Sequence, residues 1–257
     1  MNSSLGVIQV RIGSHRLPQK ALKLLGERSL IGNMFYRAKK IRHLDKLICA
    51  IPLSSENDCL ELEAKKYGIE VYRGQEDNVL SRFIDIIDKY KPKYVLRLTG
   101  DKPIFDPQIH EKAMEIIHTD KFDYISNNMP ASWPHGFDVE VFTAKALIRS
   151  SQICNSKFNI EHVTPFLRSS PSFIRANIFI MNRKYKNLRF TVDFKEDFYF
   201  LEEFLKKSKY QNDIHNWKNI RMILDRFPSL QNINKDYFNL DRSVSSDGST
   251  KQILIKI

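Results

Sequence analysis

The chain of 257 residues is long enough for one large α/β domain, or for one domain with an appendage, and too short for two independent full-size domains. Its 42% hydrophobic and 28% charged residues lie in the ordinary globular range and exclude a disordered chain. The 41 Lys and Arg against 30 Asp and Glu give a net charge of +11, which favours anionic partners without choosing among phosphorylated substrates, nucleic acid and membrane surfaces.

Short apolar stretches alternate with longer amphipathic ones along most of the chain, which is the pattern of a parallel sheet covered by helices. The predicted strands are 5–10, 46–51, 69–72, 93–98, 123–126, 138–142 and 188–192. The predicted helices are 30–43, 56–67, 76–90, 107–118, 143–151 and 195–208. The sequence therefore predicts an α/β fold of three layers with a mostly parallel, doubly wound sheet.

The helix predicted over 195–208 ends the alternating region, so we expect a main domain over 1–208 and a helical and irregular C-terminal extension over 209–257. The extension carries Trp217, Tyr237 and Phe238 among lysines, a composition that raises nucleic acid as a partner. Aromatic residues in a short appendage more often pack onto the parent domain or a second subunit. We therefore expect no nucleic-acid partner.

The cysteines and the hydropathy indicate the cellular compartment. Cys49, Cys59 and Cys154 are too widely spaced for a zinc site or a redox motif, and we interpret them as free thiols in a reducing cytoplasm. The chain shows no secretory signal, and no uncharged apolar run approaches the ~18 residues that a membrane span needs. We expect a cytoplasmic protein with no membrane partner.

The first candidate site is VIQVRIGSHRLPQK, residues 7–20, at the carboxyl end of the first predicted strand, where open α/β sheets bind ligands. Gly13 and Ser14 permit tight curvature with inward-pointing amide groups, and Arg11, Arg16 and Lys20 could reach a polyphosphate from several sides. The loop lacks GxxxxGK[ST] and GxGxxG, so neither a P-loop kinase nor a classical dinucleotide fold is indicated. By composition alone, a solvated basic turn remains equally open.

Two aspartates, Asp101 and Asp193, each follow a predicted strand, so their carboxylates could converge at the active edge of the sheet. Magnesium is usually held by one or two carboxylates together with substrate phosphates, and this pair beside a basic loop fits that need. The alternative is that both aspartates cap helices, as Asp106 before Pro107 is expected to do.

Further polar residues allow both a functional and a structural interpretation. In HGFDVEVF, strand alternation places Asp138 and Glu140 on one face, either toward sugar hydroxyls or on a solvated edge. His162 in EHVTPF could act as a base or contact substrate, with Glu161 holding its tautomer, or it could begin a helix. Arg82 could contact a nucleotide or be a solvated helix residue.

The string RIGSHRLPQK resembles the phosphate loop of sugar cytidylyltransferases. The resemblance is greatest to the spore-coat-polysaccharide F branch, related to the synthetase that activates the sugar Kdo with CMP, where this loop typically reads RMGSTRLPGK. Further similar stretches follow in the same order over roughly residues 5–205: RGQEDNVLSRF (73–83), RLTGDKP (97–103), HGFDVEVF (135–142), EHVTPF (161–166) and RFTVD (189–193).

The resemblance implies a nucleotide-diphospho-sugar transferase-like fold and an enzyme that links CMP from CTP to an acidic or otherwise unusual bacterial sugar, releasing pyrophosphate. It implies CTP and a sugar acceptor as partners, Mg²⁺ as cofactor and, by analogy, a homodimer. Alternatives of the same fold are a sugar-1-phosphate nucleotidyltransferase and a glycosyltransferase. An alternative of another class is a non-catalytic module that binds nucleotides or nucleic acid.

The resemblance also implies roles for individual residues. The catalytic cations are Lys20, Arg11 and Arg16. The nucleotide-binding residues are Arg11, Gly13, Ser14, Arg16, Lys20 and Arg82. The metal ligands are Asp101 and Asp193. The residues on the sugar side are Asn127, Gly136, Asp138, Glu140, Glu161, His162 and Arg189.

Five positions depart from the pattern of this branch. His15 and Gln19 replace the usual threonine and glycine, and Ser81 replaces an aspartate. Lys102 replaces a cysteine, and His135 replaces an acidic residue. These changes lie around the nucleotide and sugar pockets, so they bear on the identity of the base and the sugar more than on the reaction class.

Overall fold

The structure is a computed structural model that describes residues 3–181, 184–208, 216–238 and 253–257. The strands in chain order are β1 (Ser4–Gln9), β2 (Leu24–Leu25), β3 (Arg28–Ser29), β4 (Lys46–Pro52), β5 (Glu70–Gly74), β6 (Tyr94–Thr99), β7 (Tyr124–Ser126), β8 (Glu140–Thr143), β9 (Arg175–Phe179) and β10 (Ile253–Lys256). The α-helices are α1 (Leu30–Ala38), α2 (Asp58–Lys66), α3 (Val79–Tyr90), α4 (Pro107–Ile117), α5 (Ala144–Ile153), α6 (Lys157–His162), α7 (Pro165–Ser169), α8 (Lys195–Ser208) and α9 (Trp217–Arg226).

The described strands form one eight-stranded sheet in the order β10-β9-β7-β8-β6-β1-β4-β5, with β2 and β3 as a separate short hairpin. Strand β8 runs antiparallel to both of its neighbours, and the other pairs in the large sheet are parallel. This confirms the predicted α/β fold with a mostly parallel sheet. The chain proceeds from β1 to β4 and β5 on one side and places β6 on the other side. The loops after β1 and β6 therefore meet at the switch point, where such sheets bind ligands.

Helices cover both faces of the sheet because both faces are apolar. Neighbouring residues of one strand enter two separate clusters: Ile8 and Cys49 lie in one cluster, and Val7 and Ile48 lie in the other. Strands buried on both faces read as continuous apolar runs, as these do. The core thus lies in two layers around a rigid sheet whose strand ends support the loops.

Local capping fixes where helix α4 begins, just after the loop that carries Asp101. The Asp106 side chain accepts a hydrogen bond from the Gln108 amide at 2.8 Å, and Pro107 occupies the first helical position. The expected cap is confirmed. It directs the chain away from the sheet edge immediately after residues 100–105.

The structure differs from the sequence-based interpretation at three places. Residues 188–192 form no strand: the Phe190 and Val192 amides instead donate to the carbonyls of His135 and Asp101, in the loops at the sheet edge. The strand was missed one segment earlier, at β9. His162 ends helix α6 and does not begin a helix. The 188–192 backbone is thus satisfied by loop residues rather than by a sheet ladder, whereas β9 pairs with β7 and β10 in the sheet.

The described parts of the predicted extension pack onto the rest of the protein. Trp217 makes edge contacts with Trp133, Phe137 and Tyr185, at ring-centroid distances of 5.1–5.8 Å. Strand β10 pairs in parallel with β9. These contacts agree with the expectation that the aromatic residues pack internally, while the boundary at residue 208 stays a prediction. In the part of the chain that the structure describes, no helix is long and apolar enough to cross a membrane.

Candidate active site

The basic loop, residues 11–20, leaves the sheet at the end of β1 and is anchored by its one buried apolar residue. The Ile12 amide donates to Oδ1 of Asn57, which is fully buried, at 2.9 Å, while Arg11, Gly13 and Arg16 are exposed. A Cβ atom built on Gly13 would meet no atom within 4 Å, so the space beside this backbone is open. The loop therefore presents cations and accessible backbone above the switch point.

The backbone conformation at Gln19 bears on one departure from the expected loop sequence, a glutamine in place of glycine. Its φ is 53°, in the left-handed region that glycine adopts most easily. The turn geometry that favours glycine in this loop is thus retained here with a glutamine. It directs Lys20 inward at the start of a short 3₁₀ helix, Lys20–Leu22.

Two cations of the basic loop contact the Asp193 carboxylate. Lys20 Nζ lies 2.9 Å from Oδ1 of Asp193 and also donates to the Val192 carbonyl at 2.5 Å. Arg16 Nη2 lies 3.2 Å from the same Oδ1, and its guanidinium stacks over the Phe194 ring. Two cations of the predicted phosphate loop are therefore paired with one predicted metal ligand.

Asp101 is hydrogen-bonded to the two residues that precede Asp193. The Val192 amide donates to the Asp101 carbonyl at 2.9 Å, and the Thr191 hydroxyl donates to Oδ2 of Asp101 at 2.7 Å. Burial would raise the pKa of Asp101, but the nearby ammonium groups of Lys102 and Lys20 hold it well below its usual range. The Asp101 carboxylate is thus available as an anion at neutral pH.

Arg189, predicted to contact substrate, has a buried side chain that binds Asp193 and Asp197. Its Nη2 donates to Oδ2 of Asp193 at 2.7 Å, and its Nε donates to both oxygens of Asp197 at 2.9 and 3.0 Å. Asp197 is fully buried and also accepts from the Asp193 amide at 3.0 Å. The side chain of Arg189 is only 1% exposed, so it orients Asp193 from behind.

Asp138 lies in a pocket next to Asp101 and pairs with Lys102. Lys102 Nζ is 3.0 Å from Oδ2 of Asp138, which also accepts from the Gly136 amide at 3.0 Å. Burial opposes ionisation, yet Lys102, His135 and the Gly136 amide hold the pKa of Asp138 well below its usual range. The pocket is lined by Met34, Arg97, Leu98, Thr99, Lys102, Phe105, His110, Gly136, Asp138 and Glu140.

His135 stands beside Asp138 as a neutral imidazole. Burial lowers its pKa, with Asp138 acting in the opposite direction. Nδ1 lies 3.3 Å from Nη1 of Arg189, and because a guanidinium can only donate, the ring proton lies on Nε2. That nitrogen is 3.8 Å from Asp138. His135 therefore offers a proton donor to this pocket rather than a base.

Glu140, predicted on the sugar side, is saturated by protein donors. Its Oε1 accepts from Tyr124 and from Thr164, each at 2.6 Å, and its Oε2 pairs with Arg97. Burial opposes ionisation, but Arg97 is the largest opposing influence, and the pKa of Glu140 falls to about 2. Glu140 thus ties β8 to the α6–α7 turn and holds Arg97 at the pocket wall.

Asn127 and Gly136 shape the segment that carries Asp138. The Asn127 side chain donates to the Phe137 carbonyl at 2.7 Å and accepts from the Val139 amide at 2.8 Å. Gly136 has a φ of 106°, and a Cβ there would lie 2.6 Å from the carbonyl carbon of Phe190. Both residues set the backbone path of the pocket.

Arg82 lies on α3, on the other side of the basic loop. It is 3% exposed, and its Nε and Nη1 atoms are buried without a hydrogen-bond partner among the described residues. Burial lowers its pKa, and the like charge of Arg11 lowers it further. A buried guanidinium without a partner is costly, so Arg82 is suited to a ligand that supplies acceptor oxygens.

Glu161 and His162 are the predicted residues that the structure does not join to the aspartate cluster. Both are exposed at the end of α6, and the His162 ring contacts Phe158 at a centroid distance of 4.5 Å. Within the described ranges, no hydrogen bond or ion pair links either side chain to Asp101 or Asp193.

Sequence reasoning missed several residues that complete the site. They are Arg97, Thr164, Thr191 and Asp197. The spacing of Asp193 and Asp197, four residues apart with Asp197 in the first turn of α8, is a capping signal that could have found Asp197. The roles of Arg97 and Thr164 depend on contacts between distant segments and left no local signal.

The donor set fits a hard divalent cation completed by phosphate oxygens. In residues 3–181, 184–208, 216–238 and 253–257, no group of three or more His, Cys, Asp or Glu side chains could hold a metal ion. Asp101 and Asp193 together supply carboxylate oxygens, and Mg²⁺ commonly takes one or two carboxylates with substrate phosphates. The residues present fit a metal that arrives with a polyphosphate.

Several known proteins are similar to this chain in sequence and in fold. The profile of a family described as Cytidylyltransferase matches residues 5–222. A spore coat polysaccharide biosynthesis protein of Bacillus subtilis is 32% identical over 225 residues, which covers 83% of this chain and 91% of that protein. An uncharacterized protein of Methanocaldococcus jannaschii is also 32% identical, over 90% of this chain and 94% of its own length. The solved structure of a cytidylyltransferase from Leptospira borgpetersenii has a TM-score of 0.82 at 24% identity, covering 89% of this chain and 96% of that one.

Proposed function

The chain belongs to the cytidylyltransferase family, and from this premise we propose that it transfers CMP from CTP to a hydroxyl group of a surface-polysaccharide sugar and releases pyrophosphate. The name of the Bacillus subtilis relative supports a polysaccharide sugar. As in the sequence-based expectation, we propose that the sugar is acidic or otherwise unusual and of bacterial type.

One observation supports the proposal most directly. The cations of the basic loop at the switch point are paired with the buried carboxylate of Asp193, and a metal–phosphate ligand can take the place of this carboxylate as their partner. Lys20 and Arg16 contact Oδ1 of Asp193 at 2.9 and 3.2 Å. A triphosphate carries several negative charges, so it competes for these cations and leaves Asp193 free for a metal. Lys20 and Arg16 then face the phosphates.

The transfer itself needs charge stabilisation. The sugar hydroxyl attacks the α-phosphorus and gives up its proton to solvent, the bond from this phosphorus to the bridging oxygen breaks, and negative charge grows on the leaving pyrophosphate. We assign Lys20, Arg16 and Arg11 to that charge, because fixed cations in a preorganised site stabilise developing anions most effectively. Asp101 and Asp193 would hold Mg²⁺, which when bound supplies further charge neutralisation on the phosphate oxygens.

The nucleotide side is assigned to the basic loop and Arg82. The open space beside Gly13 allows a phosphate to approach the backbone of Gly13 and Ser14. Arg11 is exposed and close enough to Arg82 to lower its pKa, so the two form a positive patch at one wall. We propose that Arg82 satisfies its buried guanidinium with acceptor oxygens of the nucleotide.

The acceptor side is assigned to the pocket around Asp138. Because Asp138 stays ionised and His135 presents a proton, Asp138 is the group that accepts a hydrogen bond from the incoming hydroxyl. Asn127, Gly136, Glu140 and Arg189 act on the sugar through the shape of the pocket, since protein groups already occupy their polar atoms or their space. We keep Glu161 and His162 as outer sugar contacts on the basis of the sequence resemblance alone.

We propose that the enzyme acts in the cytoplasm as a homodimer without nucleic-acid or membrane partners. The free thiols Cys49, Cys59 and Cys154 support a reducing compartment. Dimerisation rests on analogy with related synthetases, and sedimentation of the purified protein tests it.

The proposal is tested by incubating the protein with each of the four nucleoside triphosphates, Mg²⁺ and a panel of acidic sugars, and measuring pyrophosphate. We expect release with CTP and a sugar, together with a product that contains CMP. Activity with a sugar 1-phosphate and another triphosphate would favour the alternative nucleotidyltransferase instead. A thermal-shift series with the same triphosphates reports binding separately, because a ligand of the folded state raises the midpoint.

A further inference from the structure

Lys102 is a buried cation held among the carboxylates of the candidate active site. It directly follows Asp101, its side chain is 17% exposed, and its Nζ lies 3.0 Å from Oδ2 of Asp138. The function proposed above gives this lysine no role. Its position between a predicted metal ligand and the acceptor pocket therefore calls for an explanation.

The charge of Lys102 acts on both aspartates. Among the charged groups that lower the pKa of Asp101, Lys102 has the largest effect and Lys20 the next. Lys102 is also the main cation acting on Asp138. One ammonium group thus compensates two carboxylates.

The cluster as a whole is balanced before any ligand binds. Its described carboxylates are Asp101, Asp138, Asp193 and Asp197, and its described cations are Arg16, Lys20, Lys102 and Arg189. A divalent cation that arrives alone gains little from a balanced cluster and meets the repulsion of Lys102 at Asp101. A triphosphate changes this balance, because it attracts Lys20 and Arg16 away from Asp193.

We propose that Lys102 is a positioning residue that holds Asp101 and Asp138 by its charge and makes divalent-metal binding depend on the nucleotide. The inference rests on the proposed function in that Asp101 is a metal ligand. With CTP present, the metal binds Asp101 and Asp193 together with phosphate oxygens, while Lys102 stays paired with Asp138. Without CTP, the ammonium group of Lys102 neutralises the carboxylates that the metal ion would otherwise neutralise.

The test measures Mn²⁺ binding to the full chain without nucleotide, from the electron paramagnetic resonance signal of free Mn²⁺. We expect Lys102→Gln to bind Mn²⁺ about tenfold more tightly than the wild type, because a repelling charge beside Asp101 is lost. Lys102→Arg keeps the charge and should bind as weakly as the wild type. Lys112→Gln is the matched control, since Lys112 is a half-exposed lysine paired with Glu115 on α4.

Equal Mn²⁺ affinity in Lys102→Gln and the wild type would overturn the inference, and so would an equal gain in Lys112→Gln, which would indicate only an effect of net charge. Circular dichroism verifies that each variant folds. A second measurement needs no variant: nucleotide-free wild type that binds Mn²⁺ as tightly as the CTP complex overturns this inference alone. Absence of Mn²⁺ binding to the CTP complex would overturn it together with the metal part of the proposed function.

Discussion

Lys20 is placed where one ammonium group can serve two partners in turn. In the structure it contacts Asp193 and the Val192 carbonyl, and in the proposed reaction it contacts phosphate. Its removal leaves Asp193 paired with Arg16 and Arg189, so no buried carboxylate is left without a partner. The consequences for folding and for turnover should therefore differ.

We predict that Lys20→Ala lowers the rate of pyrophosphate release by about a hundredfold or more, since it removes a preorganised charge from the transition state. The free energy of unfolding should fall by no more than about 2 kcal/mol, because Asp193 keeps Arg16 and Arg189 as partners when Lys20 is removed. Initial rates and thermal unfolding measure the two effects. Lys23→Ala, an exposed lysine three residues away, should change neither. Losses of stability and activity in proportion would contradict the assigned role.

Asp101 is the carboxylate whose isosteric replacement tests the metal assignment. Asp101→Asn keeps the shape and can still accept from the Thr191 hydroxyl, but it loses the negative charge. We expect the Mg²⁺ concentration at half-maximal activity to rise about tenfold or more. The measurement is a Mg²⁺ titration of activity at saturating CTP. Asp88→Asn, an exposed residue of α3, is the control. An unchanged titration in Asp101→Asn would remove this residue from the metal site.

For individual residues, the sequence predicts which residue types form the candidate site better than it predicts which residues contact one another. Arg16, Lys20, Asp101 and Asp193 were proposed because cations in a loop and aspartates after predicted strands have a recognisable chemistry, and because the stretches around them resemble the family. The pairing of Lys20 with Asp193 spans 173 positions and depends on how the loop folds back over the sheet. No local pattern encodes that contact, and the same holds for Glu140 and Thr164.

Gly13 and Gly136 both lie in loops, but the space available for a side chain differs between the two positions. Gly136 is needed by the protein itself, because its φ is 106° and a Cβ would lie within 2.8 Å of Phe190 and Thr191 atoms. Gly13 is not needed for packing, because a Cβ there meets nothing within 4 Å. If the basic loop binds phosphate through its backbone, a methyl group at Gly13 would occupy ligand space.

This contrast gives a paired prediction. Gly136→Ala should destabilise the fold by about 2 kcal/mol or more in denaturant unfolding, since both strain and overlap are imposed. Gly13→Ala should leave stability within about 0.5 kcal/mol and lower kcat/KM by about tenfold or more. Each variant is the control for the other. A stable, inactive Gly136→Ala or an unstable Gly13→Ala would refute the assignment.

Elements were predictable where periodicity and burial agree. The strands around the switch point, β1, β4 and β6, are continuous apolar runs covered on both faces, and their predicted bounds differ little from those observed. The segment 188–192 reads as a strand because Phe190 and Val192 alternate with polar residues. Its backbone amides instead bond to the loops of residues 101 and 135, and the Phe190 ring packs against Phe137, Phe200 and Phe204. A pattern shows that a residue is buried but not what covers it.

At the scale of the whole molecule, the site is an electrostatic unit that connects distant parts of the chain. Asn234, from the predicted extension, donates to the Arg189 carbonyl at 3.0 Å and to Asp197 at 2.9 Å. Arg189 in turn orients Asp193, which holds the basic loop. The predicted extension therefore supports the candidate site through the buried residues Arg189 and Asp197, which couples the stability of the fold to the geometry of this site.

The stability of the whole fold should fall on mild acidification because His110 is buried as a neutral ring. It is 1% exposed, its Nδ1 lies 3.1 Å from the Asp106 carbonyl, and burial lowers its pKa from 6.5 to about 4. Because the unfolded chain binds the proton more readily, this contribution to stability is complete above pH 6.5. It is lost as the pH falls toward 4, by about 3 kcal/mol in total.

We predict that His110→Asn, which keeps a donor near the Asp106 carbonyl, flattens the dependence of the unfolding free energy on pH between 6.5 and 4. Denaturant unfolding at half-unit pH steps measures the slope, which is informative even if the variant is less stable at every pH. A smaller slope should remain, because the pKa values of His118, His135 and His162 are also lowered, mainly by burial. A slope in His110→Asn equal to that of the wild type would show that the acid sensitivity arises elsewhere.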